Sequence, residues 1–152
     1  MLIGGGFAPT ISSVEIISLQ ENNTCNPTDY SFTVMEHESI YLPEKQGVLT
    51  CGGLIQDRYG NSRPLKDCII QSKRNGLQSF PPMKMMRFGF AMTLVENQIF
   101  AIGGHGNAND SMETISTDGI EWEKEALHNF IADDPCLVVH GKSIIITVRT
   151  WK

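Results

Sequence analysis

Several features that would announce a function are missing from this chain. No stretch approaches the roughly 20 consecutive apolar residues that a membrane helix needs. The start, Met1 to Gly6, carries no basic region and no long apolar segment, so it does not read as a signal peptide. No block of like charge stands out: 12 basic residues face 17 acidic ones for a net charge of −5. That balance argues against nucleic acid and against an anionic membrane as partners. Cys25, Cys51, Cys68 and Cys136 form no CxxC pair, and His37, His105, His128 and His140 show no ligand spacing, so no zinc site and no other metal or cofactor is expected. For catalysis there is no anchored set. Asp133 and Asp134 are neighbours that point to opposite sides of an extended chain, and no Ser/His/Asp arrangement is suggested by spacing.

What the chain does have is repetition. Arg87 to Gly104 reads as one hairpin: an apolar run from Phe88 to Val95, a polar turn at Glu96 to Gln98, and a second run from Ile99 to Ile102 ending on Gly103-Gly104. Nearly continuous apolar runs of this length, bounded by turn residues, suit buried strands. A glycine pair after such a strand permits positive φ and a close neighbouring backbone. The same device ends two earlier runs, at Gly4-Gly5 and Gly52-Gly53. Gly4 and Gly52 are 48 residues apart, Gly52 and Gly103 are 51 apart, and Thr147-Val148 stands where a fourth pair would fall, 44 residues on. A period near 50 residues is that of a repeat array built from supersecondary units. Each of the two complete units holds four strand-like runs. In the third unit the last of these is Ile120 to Glu123, whereas Leu54 to Leu65 reads as a long polar loop and Asn26-Pro27 as the start of another.

The order of features is an apolar strand, GG, a loop, an alternating strand, a turn and a Trp, then an Arg before the next apolar strand. It resembles the kelch repeat through Ile99 to Gly104, Glu113, Asp118-Gly119, Trp122 and Arg87 to Gly89. The resemblance covers nearly the whole chain and implies an all-β fold, a partial kelch-type β-propeller with four-stranded antiparallel blades. Residues 1–37 are then the end of one blade plus a connector, 38–80 and 87–123 are blades, and 134–152 start a further blade. In the second unit Ser79-Phe80 stands where the family usually carries Trp. Blades bury their faces only against neighbours, so this arc is expected to need further blades from a longer chain of its own. Phe88, Phe90, Met92, Leu94, Phe100 and Ile102 are the expected buried set of the third unit.

The resemblance also implies a non-catalytic scaffold that binds a protein or peptide through its loops. Loops on a rigid scaffold commonly carry binding. The candidates are Arg58, Tyr59, Asn61 and Arg63 in the longest loop, and His105, Asn107 and Asn109 in the corresponding loop of the next unit. The last is Arg87, which in kelch-like adaptors often faces the ligand pocket and pairs with acidic peptide side chains. A blade-to-blade hydrogen bond is the alternative role for Arg87. Two other readings compete. A galactose-oxidase-like copper enzyme shares the kelch-like domain, but here no loop pairs Tyr30, Tyr41 or Tyr59 with a histidine. An extracellular adhesive propeller would suit the acceptor patterns at Asn22 and Asn109 and a bridge between Cys51 and Cys68. Those cysteines end one strand and begin the next, and a bridge and two buried thiols both remain open.

Overall fold

In a computed structural model the described residues are 2–4, 14–17, 25–28, 34–72, 74–127 and 131–148, and all regular structure among them is strand. Strands β1 (Leu2–Gly4), β2 (Val14–Ile17) and β3 (Cys25–Thr28) form an antiparallel three-stranded sheet. After β4 (Val34–Met35) the chain builds β5 (Glu38–Leu42) and β6 (Gly47–Cys51), then makes an excursion through β7 (Leu54–Gln56) and β8 (Ser62–Pro64). It returns as β9 (Cys68–Ser72) and β10 (Gly76–Phe80). The four-stranded sheet has the order β5-β6-β9-β10, and β4, β7 and β8 form a small side sheet. A second four-stranded meander follows: β11 (Ala91–Val95), β12 (Gln98–Ile102), β13 (Ser111–Ser116) and β14 (Glu123–Ala126). A hairpin, β15 (Cys136–His140) and β16 (Ser143–Thr147), comes last. The first strand of each later sheet lies innermost, since β11 packs beside both β5 and β15.

Local chemistry explains the strands. In β6, Gly47, Leu49 and Cys51 are buried while Val48 and Thr50 are half-buried; β9 repeats the alternation with Cys68, Ile70 and Ser72. Side chains that alternate between faces at a period of two give that pattern. Leu42, Leu49, Ile70, Phe80, Met83, Phe90, Met92, Ile99, Ala101, Ile115 and Trp122 join the two cysteines in one core between the two four-stranded sheets. Trp122 is wholly buried, stands edge-on to Phe80 with ring centroids 6.5 Å apart, and donates from Nε1 to the Pro81 carbonyl at 2.8 Å. One indole thus ties the two sheets by both packing and a hydrogen bond.

Register makes the blades comparable residue by residue. Glu38 opposes Cys51 and Cys51 opposes Cys68; in the next sheet Ala91 opposes Ile102 and Ile102 opposes Met112. The glycine pairs therefore occupy equivalent places after β6 and β12, all four at positive φ (62° and 97°, then 65° and 88°). At Gly52 a Cβ would lie 2.6 Å from the Arg87 carbonyl oxygen and 2.8 Å from the Phe90 ring, so only glycine lets the adjoining connector pass.

The structure corrects four expectations. Residues 54–65 are not an irregular loop but a hairpin of β7 and β8 joined to β4. Cys25–Thr28 is a strand, with Pro27 on an edge where its missing N–H is tolerated. The last strand of the third unit starts at Glu123, after Trp122 has turned inward. Of the expected buried set only Phe90, Met92 and Ile102 are fully buried; Phe88, Leu94 and Phe100 are half-buried. Phe100 lies on the face of β12 opposite to Ile99 and Ala101, away from the core that the two four-stranded sheets share.

Candidate binding rim

The β7–β8 hairpin is held in shape by its own polar residues. Asp57 accepts hydrogen bonds on Oδ1 from the Tyr59 and Asn61 amides, at 2.8 and 2.9 Å, and on Oδ2 from Asn61 Nδ2 at 3.0 Å. Those bonds, led by the Asn61 side chain, hold the Asp57 carboxyl below the usual carboxylate range. Gln56 Nε2 adds a bond to the Gly60 carbonyl at 3.0 Å. The braced tip presents Tyr59, 75% exposed, with the Arg58 guanidinium 4.8 Å from its ring centroid. Arg63 projects from β8 and is exposed. Asn61, expected to bind outward, spends its side chain on the turn instead.

The loop after β12 reaches this hairpin. A Cβ on Gly106 would sit 3.8 Å from Pro64 Cβ and 2.7 Å from the Met86 carbonyl oxygen. Asn107 is exposed at φ 72° beside it. His105 lies against the Phe88 ring, centroids 5.1 Å apart, with Nδ1 3.8 Å from Asp133 Oδ1 and Nε2 3.4 Å from Asp134 Oδ1. Asn109 is half-buried and its carbonyl accepts the Ala132 amide at 2.7 Å. The candidates of the two excursions thus share one rim, formed by loops that leave second strands.

Arg87 does not join them. It is wholly buried and every part of its guanidinium is used inside its own blade. Nε and Nη2 donate to Glu113 Oε1 at 3.2 and 3.0 Å. Nη1 donates to the carbonyls of Gly103 and Ser111 at 2.8 and 3.1 Å, and Nη2 to Ser111 Oγ at 3.1 Å. Burial pushes the Arg87 pKa down, and the Glu113 charge and hydrogen bond oppose that push. A side chain so enclosed cannot meet a partner, so its place among the surface candidates is corrected. The alternative role is also refined, because the carbonyls it holds belong to its own blade.

Two features escaped the sequence reading. Asp133 and Asp134 were expected to diverge, yet both approach His105, because Asp134 takes φ 44° and bends the chain. Glu36, Gly89 and Asp134 all lie two residues before an inner strand and all have positive φ (54°, 57° and 44°). A Cβ on Gly89 would stand 2.6 Å from Asp134 Oδ1 and 3.6 Å from a Glu36 carboxylate oxygen, so the three entrances meet. The equal offset from each inner strand is the signal that could have found them. Among the described residues no group of three or more His, Cys, Asp or Glu side chains has an arrangement that could hold a metal ion. Tyr41 and Tyr59 are exposed on separate elements, and Tyr30 lies outside the described residues.

No family model and no curated protein matches the chain. A solved structure, titled "Structure of YjhT", matches with a TM-score of 0.76 at 12% identity, over 92% of this chain and 52% of that one. The fold is a partial β-propeller. The chain spans about half the length of the structure it matches, and at this identity the likeness speaks for the fold alone. The four-stranded sheets are its blades, β5, β11 and β15 are their inner strands, and the rim lies where the excursions after the second strands emerge.

Proposed function

We propose that the chain is a kelch-type propeller module that binds a protein or peptide and does no chemistry of its own. The observation that carries this reading is the braced Arg58–Tyr59 pair on a hairpin that adjoins the neighbouring excursion. Aromatic and arginine side chains dominate binding energy when they are presented rigidly, because little side-chain freedom is lost on contact. Arg58 and Arg63 on an acidic chain favour a partner segment that offers carboxylates, which a guanidinium grips through two bonds. Arg87, removed from the surface, takes no part.

The experiment is a selection of random displayed peptides on the whole chain, followed by titration of the selected peptides. Replacing Tyr59 and Arg58 together by Ala is expected to weaken rim-bound peptides at least about tenfold, or about 1.4 kcal/mol. The melting temperature should stay unchanged, since both side chains are exposed. Peptides that bind the double variant as well as the parent would place the binding surface elsewhere.

A further inference from the structure

The two complete blades fasten the roots of their excursions by different chemistry. In the later blade, the root after β12 is held by Arg87, which reaches the Gly103 and Ser111 carbonyls and is itself neutralised by Glu113. Register puts Val34 at the place of Arg87 and Ile69 at the place of Glu113 in the earlier blade. Neither can form an ion pair. Instead the last strand pair before the excursion, Cys51 opposite Cys68, carries a disulfide, with the two Cα atoms 4.2 Å apart. The corresponding pair in the later blade is Ile102 opposite Met112. One backbone bond is common to the two roots, Gly52 N–H to the Asp67 carbonyl and Gly103 N–H to the Ser111 carbonyl, each at 3.0 Å; the earlier root adds Leu65 N–H to the Gly53 carbonyl at 2.8 Å, and its hairpin pairs with β4.

We propose that the Cys51–Cys68 bond is a redox-set clamp on the β7–β8 hairpin, ordering the proposed binding rim when oxidised and loosening it when reduced. The bond closes the segment 52–67, which contains the whole hairpin and begins with two glycines, the residues with most conformational freedom to regain. Without the bond, that root retains its backbone hydrogen bonds and no buried polar latch. The step is a two-electron reduction. A dithiol supplies two electrons and two protons, the S–S bond becomes two thiols, and the dithiol closes to its own disulfide. Both cysteines are buried at the blade interface, so an attacking thiolate reaches them only as the root frays, and the state follows the redox poise slowly. The consequence for binding rests on the rim reading above; the clamp itself does not.

The test is hydrogen exchange on the whole chain, comparing the oxidised protein, the protein reduced with dithiothreitol, and the Cys51→Ala/Cys68→Ala variant. Amides of residues 54–65 should exchange at least about tenfold faster in the reduced protein and in the variant. Strand β13 (Ser111–Ser116), in the blade latched by Arg87, serves as the internal control and should not change. Unchanged exchange at 54–65 in the variant would overturn the clamp, as would uniform loss of protection across both blades, which would mark the bond as a staple of the whole fold. Because no ligand is needed, a failure of the clamp is read separately from a failure of the binding rim.

Discussion

Arg87 illustrates how little its residue type alone says about its role. Its position before an apolar strand is compatible with a pocket and with a core, and the deciding quantity is the number of acceptors within reach. Glu113 and the carbonyls after β12 supply enough to take a guanidinium out of water. Glu113 is saturated in turn: its two oxygens also accept the amides of Lys84 and Met85, which fixes the connector between blades. Removing the arginine leaves a buried carboxylate without its charge partner. Arg87→Ala is therefore expected to cost about 3–5 kcal/mol in denaturant unfolding, the range for breaking a buried ion pair. A cost below about 1 kcal/mol would mean that water replaces the guanidinium freely, contrary to the enclosure seen here.

At the scale of the strand, β12 divides its side chains between two unequal faces. Ile99 and Ala101 face the core shared by the two blades and are fully buried, whereas Phe100 between them is half-buried. Ile99→Ala should cost about 2–5 kcal/mol. Phe100→Ala should cost less than Ile99→Ala in the same chain, despite the larger side chain, because the cavity it leaves opens to solvent. Equal or reversed costs, measured by chemical unfolding, would show the opposite face to be the better packed one. The existence of these strands was legible because buried runs ending in glycine pairs recur at a steady spacing. The β7–β8 hairpin was not legible, because its order comes from the Asp57 carboxylate accepting the Tyr59 and Asn61 amides and the Asn61 side chain rather than from an apolar period. The rim candidates Arg58, Tyr59, Arg63 and Asn107 were legible as polar residues following a strand end, and they are exposed. Arg87 was not, since its fate depends on Glu113, 26 residues away and a neighbour only through the register of β12 and β13.

Across the whole arc, acidic groups gather where the inner strands begin. Glu36 and Asp134 meet at Gly89, Asp133 lies beside His105, and Glu38 opens β5. Glu38 stands out among them. Burial pushes its carboxyl up to about 7 from an ordinary 4.5, against a smaller opposing effect of the Ser39 backbone hydrogen bond. Between those two values the folded chain retains a proton that the unfolded chain has released. Stability from this group is therefore greatest at the acid end of the window, falls as pH rises towards 7, and is level above it. Glu38→Gln keeps the site neutral at every pH. The variant should melt like the parent at about pH 4.5 and be more stable at about pH 8, by on the order of 1–2 kcal/mol once solvent access to a half-buried carboxyl is discounted. The difference between the two curves isolates Glu38 from every other ionisable group, since the two proteins share all of them. Parallel curves for parent and variant would mean that water reaches the head of β5 freely, and that the inner strands do not close over it.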